Sequence, residues 1–571
     1  MKKALCLSLF CFIFTGATEH PKADLVLRHG KVYTMDHSRS WAESVGIKDQ
    51  KIVYVGDDSG IAPWIGEKTK TVELGGRFVL PGFIDSHIHP VEAGVGLKQC
   101  DLLPYFTKEE VLKAIKDYVA AHPKDPWILG SGWQLPVFPD ANPQKDLLDA
   151  IVPDRPVFLT AMDGHSAWVN SKALEIAGIT KKTPDPANGR IERNEHGEPS
   201  GALRESAADL VYKHAPKPGL KEKLEGLQGA LKILNAFGIT TFQDASISVE
   251  GNNPETRGSS HVYAEADKQG LLTARVLGAM YANPEGSVEH VLKQIDQFQA
   301  LRSQFSKGKY FRASAVKIFA DGVIESRTAA LLQPYVNQGT NAGELIWPPE
   351  KLHPFVEKLD REGFQIHIHA IGDRAIRESL NALEAASKKN GVRDRRPLLA
   401  HIQLIDPQDI PRFASLSVIP NFQPLWAYED AYIKDLTVPQ LGKERSRWLY
   451  PINSVASTGA KLAMGSDWSV SSANPLDGIE VAVRRLDPDS NLEQNAFIPE
   501  ERISLETALA AYTIGSAYAN FREKEAGSIE IGKQADLIVL SQNLFTIPPH
   551  QINDTKVVLT LLDGKEVYRG M

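Results

Sequence analysis

The chain has 571 residues, 42% hydrophobic and 24% charged, with 64 Lys and Arg against 71 Asp and Glu for a formal net charge of −7. Such a length exceeds one ordinary domain and predicts a large barrel or doubly wound domain with a smaller companion. The acidic balance, without a long basic block, excludes a nucleic-acid tract and argues against an anionic membrane surface as partner.

At the start, Lys2-Lys3 precede an apolar run from Ala4 to Phe14 and the small residues Gly16-Ala17. This pattern reads as a secretory signal peptide over 1–17, too short to leave a membrane span in the mature chain. It predicts a periplasmic or secreted protein. Cys6 and Cys11 fall inside it, which leaves Cys100 alone and the mature chain without an internal disulfide.

From 23 to 80 the chain reads as short β-rich pieces such as Asp24-Leu25-Val26-Leu27 and Lys51-Ile52-Val53-Tyr54-Val55, and similar pieces recur from 527 to 571. Strands at both ends with a long α/β stretch between predict one small composite β-sandwich built from both termini. Over 81–526 apolar strands alternate with amphipathic helices, the pattern of a parallel sheet. Strands are predicted at Phe83–His89, Val157–Ala161, Thr240–Asp244, Ala315–Phe319, Gln365–His369, Leu398–His401, Val418–Phe422 and Leu462–Gly465. Eight strands fit a closed (β/α)8 TIM-like barrel, with reactive residues at the strand C-terminal ends. Helices at Lys221–Phe237, Val288–Phe305 and Ala375–Lys389 have the apolar spacing of its outer ring. The stretch from about 91 to 230 is too long for one βα unit and reads as an inserted lid region.

In Phe83-Ile84-Asp85-Ser86-His87-Ile88-His89 the two histidines stand at i and i+2, so a strand points both imidazoles to one side, where they can share a divalent cation. His369, His401, Asp467 and Lys317 fall at or near the ends of other predicted strands. Singly each has a bland role, as a core histidine, a capping aspartate or a strand lysine. Together they place histidines, a lysine and an aspartate on one rim of the barrel, a pattern more specific than any member of it.

With these residues in place, the chain resembles the amidohydrolase superfamily. The phrases are Pro81-Gly82-Phe83-Ile84-Asp85-Ser86-His87-Ile88-His89, His369-Ala370-Ile371-Gly372-Asp373-Arg374-Ala375, Gly465-Ser466-Asp467 and Gly527 through Leu537. Asp163-Gly164-His165-Ser166-Ala167-Trp168-Val169-Asn170-Ser171 and Val316-Lys317-Ile318-Phe319-Ala320-Asp321-Gly322 are similar to the branch that includes N-substituted formamide deformylases. The resemblance implies a metal-dependent hydrolase that cleaves a non-peptide carbon–nitrogen bond of a small amide with metal-activated water. The alternatives are a hydrolase of cyclic amides, lactones or aryl-acylamides, a heterocycle deaminase, or a non-catalytic scaffold relative.

By the same resemblance, His87, His89, His369, His401 and Asp467 would ligate one or two divalent ions, zinc first, with manganese or nickel as alternatives. Asp467 and His401 would be catalytic, Asp467 passing the proton of the attacking water to the amine. Lys317 would become a carboxylysine bridging two metals, or else pair with Asp321 or Glu325. His367, one step deeper than His369, is expected to support a ligand rather than be one. His165, Trp133, Trp168 and Trp426 are the candidate substrate-binding residues, with Trp468 as a further aromatic wall; Glu205 could be a pocket carboxylate but is expected rather on an exposed helix. The oligomeric state stays open, a homodimer among the options.

Overall fold

The computed structural model of the chain describes residues 20–249, 258–492 and 494–570. The leader read at 1–17 lies outside these residues.

Eight strands form one parallel sheet: β1 (Phe83–Ile88), β2 (Ile239–Ile247), β3 (Arg275–Tyr281), β4 (Phe311–Phe319), β5 (Gln365–Ala370), β6 (Leu398–His401), β7 (Ile419–Phe422) and β8 (Ala463–Met464). Each pairs with the next, so spatial order follows chain order. Beyond the last ladder the ring is drawn together by backbone bonds from Asp467 N to His87 O at 2.7 Å and from His89 N to Trp468 O at 3.0 Å. This is the (β/α)8 barrel. All six residues of β1 and of β5 are buried, because helices cover one face and the barrel core the other, which is why these strands read as apolar runs rather than alternating ones. The outer helices Leu220–Ala236, Val288–Phe305 and Asp373–Asn390 bury one stripe each, as with Val291, Ile295 and Phe298 of the second.

One strand expectation is corrected. Val157–Ala161 is not in the barrel; it pairs in parallel with Ile128–Trp133 and antiparallel with Ser166–Val169 inside the insertion. The third barrel strand is instead Arg275–Tyr281, which opens on a charged residue. Arg275 is 4% exposed, and its charge is compensated by Asp536, at 2.9 Å from Nε, and by Asp563. Those partners are distant in sequence, so the run Arg-Val-Leu-Gly-Ala-Met-Tyr did not read as a core strand.

The insertion is a six-stranded sheet with its own apolar core around Trp133, Phe138 and Trp168. The chain ends form two further sheets. Leu537–Leu540 pairs antiparallel with Phe78–Pro81, joining the two termini in one six-stranded sheet. Leu27, Val45 and Ile47 of the four-stranded sheet pack on Val79, Leu537 and Leu559 of the other. The sandwich feeds straight into β1 through Gly82, where an added Cβ would come within 2.2 Å of Thr240 Oγ1. Among the described residues no helix is long and apolar enough to cross a membrane.

Candidate metal centre

Parallel register decides which side chains meet above the barrel core. Lys317 of β4 is level with His367 of β5, and Phe319 with His369; Ala370 is level with His401 of β6. At the seam Asp467 follows β8 opposite His87. Gly465 lets the two strands approach, since a Cβ there would stand 2.6 Å from His87 N.

The polar side chains converge on Asp467. His89 Nε2 is 3.1 Å and His87 Nε2 3.4 Å from Asp467 Oδ1, and His401 Nδ1 is 3.9 Å from Oδ2. The nearest ligand atoms of His87, His401 and Asp467 all lie within 4.8 Å of one another. The His369 ring stands 4.5 Å from that of His401, centre to centre, and His369 Nε2 faces the Gly322 carbonyl at 3.2 Å. Lys317 Nζ is fully buried, 3.3 Å from His87 Nε2. It does not pair with Asp321, which accepts three backbone N–H groups, nor with Glu325, which accepts from Gln403 and Thr437.

A chain of hydrogen bonds sets the tautomer of His87. Gln365 Nε2 donates to the carbonyls of Arg396 and Ala519 at 2.8 and 2.7 Å, so its Oε1 must accept, here from Gln243 Nε2 at 3.2 Å. Gln243 Oε1 therefore accepts from His367 Nδ1 at 3.2 Å. His367 Nε2 then accepts from His87 Nδ1 at 2.9 Å, and the free lone pair of His87 lies on Nε2, toward Lys317 and Asp467. Backbone carbonyls at the base of the barrel thus orient a ring at its rim.

Burial, reinforced by neighbouring positive charge, holds His87, His369 and His401 well below the ordinary histidine value, so their lone pairs are available. Burial pulls His89 the same way, but the Asp244 and Asp467 carboxylates outweigh it and push it up to about 10. Burial lowers Lys317 to about 7 against the opposing pull of Asp467 and Asp244. His401 and Asp467 both hold left-handed backbone, φ +73° and +55°, strain of the kind that collects at functional sites.

This donor set fits a divalent cation. His401 Nδ1 and Asp467 Oδ1 are buried without a hydrogen bond, Asp467 Oδ1 meeting His89 Nε2 only as an ion pair. Imidazoles around a carboxylate are the ligands that zinc, manganese and nickel accept, and His89 would release its proton on ligation.

The substrate-side residues divide. Trp426 lies flat against His401, ring centres 5.5 Å apart and planes at 10°. His165 stands 5.2 Å from the His369 ring. Trp133 and Trp168 do not face the site: both are fully buried in the insertion's core, their indole N–H groups donating to the carbonyls of Leu159 and Gln144. Trp468 is also buried.

Glu205 is not on an exposed helix. It ends the strand Pro199–Glu205, and its carboxylate holds His165 Nδ1 at 2.9 Å while accepting from Thr328 Oγ1 at 2.7 Å. Asp244, missed at the end of β2, faces His89 Nδ1 at 3.7 Å and accepts from Tyr263 Oη at 2.7 Å; its place after Thr240-Thr241-Phe242-Gln243 was the signal that could have found it.

The family profile described as "Amidohydrolase family" matches residues 70–568. Protein LONG AFTER FAR-RED 3 of Arabidopsis thaliana is 34% identical over 551 residues, 96% of this chain and 92% of that one. N-substituted formamide deformylase of Arthrobacter pascens is 26% identical over 550 residues, 95% of this chain and 97% of its own. The crystal structure of an uncharacterized metal-dependent hydrolase from Pyrococcus furiosus superposes with a TM-score of 0.68 at 27% identity, over 91% of this chain and 99% of that one. With a barrel, a two-ended sandwich and a profile match over nearly its whole length, this chain belongs to the amidohydrolase family.

Proposed function

We propose that the protein is a divalent-cation-dependent hydrolase that cleaves the carbon–nitrogen bond of a small amide, N-substituted formamides among them. The observation that carries this reading is the convergence of His87, His401 and Asp467, with ligand atoms within 4.8 Å of one another and His401 Nδ1 and Asp467 Oδ1 buried without a hydrogen bond, at the rim where barrel enzymes place their chemistry. Similarity to the formamide deformylase supports the choice of bond. The signal-peptide pattern at 1–17 supports an exported enzyme.

His87, His89, His369, His401 and Asp467 would hold the cation or cations, zinc first, manganese or nickel next. A divalent cation held there would lower the pKa of water to about 7 and polarise the scissile carbonyl. Asp467 takes the proton of the attacking water and delivers it to the amine nitrogen as the carbon–nitrogen bond breaks. His165, held through Nδ1 by Glu205, keeps Nε2 to donate to the carbonyl oxygen as negative charge grows there. Trp426 fixes the plane of His401 and offers its edge to the substrate. Lys317, buried and lowered to about 7, is a nucleophilic amine near neutral pH. Its nitrogen could add to carbon dioxide with loss of one proton, giving a carbamate that would supply oxygen ligands to the site.

The test is metal content per chain on protein purified without chelator, beside Lys317→Ala, with assays for formate, longer acids and ammonia released from formamides, other amides and heterocyclic amines. About two metals falling to one or fewer in the variant, with formate released, is the expected result. About one metal in both would reduce the site to a mononuclear centre with a structural lysine. No metal and no hydrolysis in the wild type would overturn the proposal.

A further inference from the structure

At the end of the barrel away from the histidines, the first residues of β2 to β5 open into a cavity of about 290 Å³. That is near the lower limit, about 300 Å³, of pockets that hold small molecules. Its walls are cationic. Asp394, the one acid among the lining residues, is already held by Arg396 at 2.7 Å. Arg393 is taken up by Asp360 at 2.6 Å, and Arg275 uses Nε and Nη2 on Asp536 and Asp563 while Nη1 stays outside both pairs.

Two further arginines are less fully compensated. Arg312 forms no ion pair among the described residues. Arg522 meets Glu525 through Nη2 at 2.9 Å, but its Nε is buried with no hydrogen-bond partner. Beside them the hydroxyl of Thr241, a residue 1% exposed, is likewise unpartnered. Burial and then the adjacent charge of Arg275 hold Arg522 below its ordinary value, against the opposing pull of Glu525 and Asp536; the charge left without a carboxylate is that of Arg312. Water can satisfy a stray N–H or hydroxyl but cannot neutralise the charge of Arg312. An oxyanion does both, and the planar guanidinium is the side chain best matched to carboxylate and phosphate oxygens.

We propose that this cavity binds a small oxyanion, a phosphate or carboxylate group, seated among Arg312, Arg522 and the Thr241 hydroxyl. It lies beside Arg275, which ties β3 to Asp536 and Asp563 of the sandwich, so a ligand here braces the joint between the two domains from the face opposite the metal centre.

The test is calorimetric titration of the intact, metal-replete protein with inorganic phosphate and, separately, with acetate, at an ionic strength fixed by chloride. Saturable binding of at least one anion is expected; tighter phosphate points to a phosphorylated ligand, tighter acetate to a carboxylate. Arg312→Gln should weaken it about tenfold or more, the loss of one charge-assisted hydrogen bond. The isosteric Thr241→Val should weaken it less. Loss in these variants places the binding at this end rather than at the histidines. Failure of both anions to bind above the chloride control, or binding undiminished in both variants, would overturn the proposal.

Discussion

Gln243→Leu tests whether the base of the barrel governs the metal-binding nitrogen at its rim. The substitution nearly preserves volume and removes two hydrogen bonds, to Gln365 Oε1 and from His367 Nδ1, each 3.2 Å long. His367 is fully buried, so its Nδ1–H would be left unsatisfied, at about 1–3 kcal/mol. The ring can escape that penalty by moving its proton to Nε2. It then donates to His87 Nδ1, and the His87 proton moves to Nε2, the atom that faces Asp467 at 3.4 Å. Either way the state with a free His87 Nε2 lone pair becomes less favourable by that amount. Converted to an equilibrium, this is about a 5- to 150-fold loss of metal affinity, and it overlaps the about 10- to 100-fold typical of residues that orient ligands from behind. Affinity would be read by competition with a chromophoric chelator near neutral pH, with thermal unfolding of the metal-free form alongside. A folded variant that is less stable than wild type yet binds metal equally well would refute the tautomer argument and leave Gln243 a packing residue.

Two further outcomes follow from the same geometry. Lys317 binds its proton more weakly folded, at about 7, than unfolded, at the ordinary lysine value, because of burial; the unfolded chain therefore holds more protons between about pH 7 and 10.4, and stability rises with pH across that window. Metal-free Lys317→Met should accordingly unfold at a higher temperature than metal-free wild type near pH 7, the gap closing toward pH 10; a constant gap would show that the amine is not desolvated. Glu205→Gln, which weakens the hold on His165 Nδ1, should lower kcat/KM about tenfold or more with metal content unchanged, and steady-state kinetics on the metal-replete variant would show whether the pair serves only the insertion's fold.

What could be read from the chain and what could not divide along a physical line. His87, His89, His369, His401 and Asp467 were legible because strand ends punctuated by polar residues are local patterns, and a parallel barrel delivers all its strand ends to one rim. Val157–Ala161 was legible as a strand and misassigned to a sheet, since an apolar run announces burial on both faces without saying what buries it. Arg275–Tyr281 was missed for the converse reason: its leading charge is compensated by Asp536 and Asp563, partners supplied by the far end of the chain. Trp133 and Trp168 illustrate the same limit, because an indole in a loop-rich insertion reads as a pocket wall until the insertion proves to have a core of its own.

The residues that escaped notice or were misplaced share one property: they act through another side chain. Asp244 bears on His89, Glu205 on His165, and Gln243 with Gln365 on His87 through His367. A ligand can be guessed from its own chemistry, since few side chains bind a cation, but a glutamine that fixes a tautomer looks like any other glutamine. Its role is created by register, which puts β2 and β5 side chains together inside the barrel, and by the two backbone carbonyls that leave Gln365 only one way to point. The same economy predicts that a simple swap at these positions would disturb the site. Exchanging donor for acceptor at either glutamine reverses the direction of every bond up to His87, and the site then presents a proton where a lone pair is required.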